Sequence, residues 1–126
     1  MDKKLIAIIE DDAILSKSMA TALHDAGYEV RTAKDGQEGL AQIEVKRPDL
    51  ILLDIMMPNL NGIEVARQLK GKPETKDIPI IILTVREKSS DIAEALEVGV
   101  TDYVVKADLK VENIPEMVAK KLASLK

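Results

Sequence analysis

Asp54 interrupts an apolar stretch, Leu50–Leu53 followed by Ile55, in the segment DLILLDIMMPNLNG. A carboxylate at the end of such a run loses hydration and needs a partner. Three more acidic residues, Glu10, Asp11 and Asp12, follow the apolar run that ends at Ile9. Thr84 follows Ile80–Leu83, and Lys106 follows Val104 and Val105. Gathered at one place, the carboxylates would repel unless a cation or a proton intervened. Hard oxygen ligands that leave room for water suit Mg2+. A divalent cation, an ammonium and a hydroxyl together hold an anion with several oxygens. A phosphoryl group fits, and Asp54 can be the nucleophile that carries it.

The elements that must bring these residues together alternate along the chain. Apolar runs at Lys4–Ile9, Tyr28–Ala33, Leu50–Leu53, Ile80–Leu83 and Asp102–Val105 read as strands. Ala13–Ala26 reads as a helix with Leu15, Met19, Ala22, Leu23 and Ala26 on one face and Gly27 as its stop. Asp35–Lys46 is a weaker helix, capped by Asp35 with Glu38 three residues on. Asn61–Lys70 is the third helix. The SSD at 89–91 caps a fourth that carries Ile92, Leu96 and Gly99, and Asn113–Leu125 is the fifth. Strand and helix in five-fold alternation imply a parallel sheet with helices on both faces, and right-handed crossovers favour a doubly wound fold. Ligands of such sheets sit beyond the carboxyl ends of the strands, where Glu10, Asp11, Asp54, Thr84 and Lys106 all fall.

On these residues the chain resembles the receiver domain of two-component response regulators. The resemblance runs over almost the whole chain, through IIEDD, LLDIMMPNLNG, ILT and GVTDYVVK at matching intervals. It implies an α/β, flavodoxin-like fold with five parallel strands in the order 2-1-3-4-5 and five helices. It implies Asp54 as the phosphoacceptor and Asp11 as a direct Mg2+ ligand. Glu10 would act through a metal-bound water, and Met56 would lend a backbone carbonyl. Thr84 and Tyr103 look like a switch pair, and Lys106 like the cation that neutralises the transferring group. The implied donor is a phosphohistidine on a histidine kinase or phosphotransfer protein. The implied output is a downstream protein bound at the fourth helix, fifth strand and fifth helix, a surface that also allows a homodimer. Such a chain assists its own phosphorylation and dephosphorylation only and is not otherwise an enzyme. Two positions depart from the family: Val85 stands where a small residue is usual, and Ala107 where a cis proline is usual. A cis bond costs roughly 2.5–4 kcal/mol without proline, so Lys106–Ala107 is expected to be trans.

Several residues have ordinary structural explanations. Asp12 serves as the N-cap of the first helix. Thr84 is also a good strand residue, and Tyr103 also suits a static edge strand. Gly62 serves turn geometry, His24 is solvated, and the methionines fill core and loops. The 126 residues suit one domain, read as a single receiver domain over 1–126 with no output domain. A net charge of −4 speaks against nucleic acid as a partner, and the absence of cysteine excludes disulfides and thiolate metal sites. No stretch is apolar for long enough to span a membrane, so a cytoplasmic protein is expected. One rival is a receiver-like binding module that works without phosphorylation. Another is a Mg2+-dependent phosphohydrolase with an aspartate nucleophile, which would want a general acid where this chain has Met56.

Overall fold

A computed structural model of the chain describes residues 3–57, 60–85, 90–100 and 102–124. Five strands, β1 (Leu5–Ile9), β2 (Glu29–Ala33), β3 (Leu50–Asp54), β4 (Ile80–Thr84) and β5 (Asp102–Val105), form one parallel sheet in the order β2-β1-β3-β4-β5. Among the described residues the α-helices are α1 (Ala13–Asp25), α2 (Gly36–Val45), α3 (Gly62–Lys70), α4 (Ser90–Glu97) and α5 (Ile114–Ala123). The expected flavodoxin-like order is the observed one.

The continuous apolar runs have a simple cause. Helices cover both faces of the sheet, so alternate residues of each central strand are buried in different layers. Ile6, Ile8, Leu50, Leu52, Ile81 and Leu83 pack with Met19 and Leu23 of α1 and with Ile114 and Val118 of α5. Ile9, Ile51, Leu53, Ile80 and Ile82 pack instead with Ile43 of α2, Val65 and Leu69 of α3 and Ala95 of α4. The sequence has no Phe or Trp, and both layers are aliphatic apart from Tyr28 at the margin of one of them.

The caps follow the sequence closely. The Asp12 carboxylate accepts from the backbone N–H of Ile14 and Leu15 at 3.0 and 3.1 Å, so its ordinary explanation holds. Asp35 accepts from Glu38 N at 2.8 Å, and Asn61 from Glu64 N at 3.0 Å. Gly27 takes the left-handed conformation at φ 99° just past α1, as a helix stop requires.

Some details differ from expectation. In α1 the fully buried residues are Ser16, Met19 and Leu23, while Ala26 is exposed and ends the helix. Leu15 is partly buried against the same layer as Met19 and Leu23, so most of the expected face holds. In α4 the buried residue is Ala95, and Leu96 is 52% exposed, so the face that meets the sheet is rotated by one residue from the 92/96/99 reading. The cap at 89–91 and the helix end at Leu125 lie outside the described residues or side chains. β3 and β4 each run one residue further, so Asp54 and Thr84 are the last residues of their strands. Two 3-10 turns, Lys106–Asp108 and Val111–Asn113, precede α5, which starts at Ile114 with Pro115 in its first turn. The Lys106–Ala107 bond is trans, as expected; no cis peptide occurs among the described residues.

Gly62 is needed for a close approach and not for a special turn. A Cβ there would collide with the Asp54 carbonyl oxygen and come within 2.8 Å of Ile55 Cα. The chain returning into α3 therefore lies directly on the backbone that carries Asp54, and Gly62 N donates to Ile55 O at 2.9 Å. Gly62→Ala should cost about 2 kcal/mol, because only backbone can move aside. Gly71→Ala, whose Cβ would stand 3.3 Å from the nearest atom, should cost much less. Chemical denaturation of both variants checks this; equal stabilities would show that the contact carries no constraint.

Candidate functional site

Strand register assembles the site. Ile9 pairs with Leu53, Asp54 with Leu83, and Thr84 with Val105. Glu10 therefore falls level with Asp54, and Lys106 lies one residue beyond the partner of Thr84. The backbone of Glu10 continues the sheet, its N–H donating to Ala33 O at 3.0 Å. Glu10 and Asp54 are each 1% exposed, whereas Asp11 is exposed. One carboxylate oxygen of each of Glu10, Asp11 and Asp54 lies within 4.8 Å of the others.

Lys106 bridges the two buried carboxylates. Its Nζ lies 2.9 Å from Glu10 Oε1 and 3.2 Å from Asp54 Oδ1, and donates to Glu10 Oε2 at 3.2 Å. Asp12 N also donates to Glu10 Oε2, at 3.1 Å, and Met56 N donates to Asp54 Oδ1, at 3.2 Å. Two oxygens are left over: Glu10 Oε1 has ion pairing but no hydrogen bond, and Asp54 Oδ2 has neither N–H nor ammonium. An unpartnered buried carboxylate oxygen is costly, so something must meet it.

The titration of Asp54 reflects that shortage. Burial, then hydrogen bonding with the Glu10 carboxyl and the Glu10 charge, raise its pKa to about 7, against the opposing pull of Lys106. Without a cation, these effects favour the protonated form of Asp54. Burial opposes the charge on Lys106 too, but hydrogen bonding to Glu10 and the charges of Asp54 and Glu10 outweigh it and hold its pKa above the ordinary value. The ammonium is thus held in its charged form.

A divalent cation fits these residues. One carboxylate oxygen from each of Asp54, Glu10 and the exposed Asp11 lies close to the others, Asp54 keeps an unpartnered oxygen, and all the donors are oxygens, the set that Mg2+ prefers. Thr84 ends β4 buried at 2% exposure, and Val85 after it is half exposed at the rim. Tyr103 stands in β5 opposite Ile82 and is 44% exposed. Met56 is exposed; its backbone N–H on Asp54 is a contact that no residue type announces. His24 is exposed, as expected.

The raised pKa has a testable sign. Between the ordinary carboxylate pKa and about 7 the folded protein binds a proton that the unfolded chain does not, so Asp54 costs stability increasingly as pH rises through that window. Without Mg2+, Asp54→Asn should stabilise the fold, and by roughly 2 kcal/mol more at pH 8 than at pH 5. Denaturant melts of both proteins at the two pH values measure this. A gain independent of pH, or a loss of stability, would refute the crowding of Asp54.

The comparisons with known proteins agree with the fold. Residues 6–119 match the response regulator receiver domain family. The phosphate regulon transcriptional regulatory protein PhoB of Pseudomonas aeruginosa is 46% identical over 103 residues, which are 82% of this chain and 45% of that protein. The chain spans about half the length of the curated relatives it matches. Among solved structures, a CheY-like receiver domain protein from Methanospirillum hungatei superposes with a TM-score of 0.89 at 28% identity, covering 98% of this chain and 96% of that one. The phosphorylated cyanobacterial phytochrome response regulator RcpA gives 0.82 at 29% identity, covering 95% and 91%. A domain of this fold, with an aspartate ending its third strand and an ammonium reaching it from the fifth, belongs to the response regulator receiver domain family.

Proposed function

We propose that the chain is a phosphoacceptor that takes a phosphoryl group onto Asp54 and signals by a change of surface. The observation that carries this reading is the buried Asp54 carboxylate, ion-paired to Lys106 on one oxygen and unpartnered on the other. The free oxygen is the nucleophile. It attacks phosphorus of a phosphohistidine; an O–P bond forms, the N–P bond breaks, and the imidazole leaves with the electron pair and takes up a proton. Lys106 stays charged and neutralises the transferring group, so the protein contributes positioning and electrostatics. Asp11 and Asp54, with Glu10 behind them and the Met56 carbonyl, would hold Mg2+, which when bound supplies further charge neutralisation.

The acyl phosphate brings new acceptor oxygens to the end of β3. The Thr84 hydroxyl, on the neighbouring strand, moves toward one of them, and Tyr103 turns inward. The shift favours one of two packings of α4, β5 and α5, and this surface meets the downstream protein or a second copy. The donor is a histidine kinase or phosphotransfer protein, the compartment is the cytoplasm, and nucleic acid and membrane are not partners. The chain acts on no other substrate. RcpA, a neighbour in fold, is phosphorylated in its solved structure, which supports this reading. The phosphohydrolase alternative lacks its acid, since Met56 cannot transfer a proton.

Incubation with acetyl phosphate and Mg2+, followed by intact mass, tests the proposal. One phosphoryl group should add to the wild type and none to Asp54→Asn, and Lys106→Met should slow labelling by about 10²-fold or more. Labelling of Asp54→Asn at the wild-type rate would overturn the assignment. Val85 narrows the mouth for both donor and water, so Val85→Ala should speed labelling and self-dephosphorylation alike. Unchanged rates in both directions would remove the gate.

A further inference from the structure

Asp12 is exposed, yet it is hydrogen-bonded on two sides. Its Oδ1 accepts from Ile14 N and Leu15 N at 3.0 and 3.1 Å, and its carbonyl oxygen accepts from Ser16 N at 2.9 Å. These bonds tie the residue to the first turn of α1. The helix is in turn held on the sheet by the buried Met19 and Leu23. On its other side Asp12 N donates to Glu10 Oε2 at 3.1 Å. Glu10 keeps both of its oxygens on Lys106, at 2.9 and 3.2 Å, and the same ammonium stands 3.2 Å from Asp54 Oδ1. A chain of contacts thus runs from the core through α1, Asp12 and Glu10 to Lys106 and Asp54.

We infer that Asp12 is a positioning residue for the Asp54 site: by capping α1 its side chain sets the direction of its own N–H, and that N–H holds the Glu10 carboxylate on Lys106. The reasoning is mechanical. An ammonium on a flexible four-carbon stem does not place itself, and it needs a fixed counter-ion. Glu10 is that counter-ion, but a carboxylate also turns unless a donor fixes it. The donor is useful only while its peptide plane is held, and the first N–H groups of a helix are loose when the cap is missing. The cap bonds from Asp12 Oδ1 to Ile14 N and Leu15 N supply that restraint. Asp12 touches neither Asp54 nor Lys106 through its carboxylate, so it acts through Glu10 alone. The clamp on Lys106 does not depend on the phosphoacceptor reading; its effect on labelling does.

The test needs a variant that keeps the helix and drops the clamp. Glycine in place of a capping aspartate costs little helix stability, yet it has no side chain to fix the N–H. Proton exchange of the Lys106 ammonium is read by nitrogen-15 NMR on the whole chain in EDTA, with the signal assigned by its loss in Lys106→Met. Asp12→Gly and Asp12→Ala should both speed that exchange by about tenfold, the worth of one charge-assisted hydrogen bond. Asp12→Asn, which keeps the accepting oxygen and drops the charge, should restore slow exchange. Asp35→Ala, which removes the cap of α2, should leave it slow. With acetyl phosphate and Mg2+, labelling should slow by about tenfold in Asp12→Gly and recover in Asp12→Asn. Exchange in Asp12→Gly as slow as in the wild type would overturn the positioning role and leave Asp12 a cap alone. Fast exchange in Asp12→Asn would trace the effect to charge and overturn the clamp as well. A wild type that takes no label would overturn the phosphoacceptor reading, while exchange in EDTA still decides the clamp.

Discussion

Two carboxylates, Glu10 and Asp54, are buried side by side against one ammonium, Lys106. The charge does not balance. Asp11 at the rim adds to the deficit. Such a cluster is stable only when a proton or a cation makes up the difference, and the raised pKa of Asp54 is the sign of that shortage. The proposed chemistry grows from the same imbalance. A group already in need of positive charge recruits a divalent ion, and a carboxylate held beside that ion and an ammonium can attack an electron-rich phosphoryl group without strong repulsion.

The rest of the fold holds this imbalance in place. The three central strands are buried on both faces, so their ends move little relative to one another. Register fixes Glu10 level with Asp54, and the return at Gly62 presses on the backbone of Asp54 itself. The proposed switch elements lie at the margin: β5 is an edge strand, none of its residues is fully buried, and Tyr103 is exposed. Precise placement at the centre and freedom at the edge are what a phosphorylation-driven change of surface requires.

Most of this was legible in the sequence because of the parallel sheet. Doubly covered strands appear as uninterrupted apolar runs, and the residue after each run is at the ligand edge. That logic pointed to Glu10, Asp11, Asp54, Thr84 and Lys106 and to a doubly wound parallel sheet; the strand order came from the family resemblance. Asp12 could be assigned to capping because its type and place suit an N-cap and nothing else was needed of it. The face of α4 was misjudged because a small residue, Ala95, packs in the core there, and a pattern that weights large apolar residues overlooks it; in α1 only Ala26 falls off the expected face. The role of Gly62 was found only in space, since the contact is with the Asp54 backbone and local sequence shows just a turn-former. The Met56 N–H on Asp54 is likewise a tertiary fact that residue identity does not encode.

The central claim is that Asp54 lacks positive charge and that a divalent cation supplies it. Carbon-13 NMR titration of the Asp54 side-chain carboxyl, assigned by comparison with Asp54→Asn, measures this directly. In EDTA the carboxyl should titrate near pH 7. With saturating Mg2+ the midpoint should fall well below the EDTA value, because the cation favours the charged form. An ordinary carboxylate midpoint in EDTA, or a midpoint that Mg2+ does not move, would contradict the account.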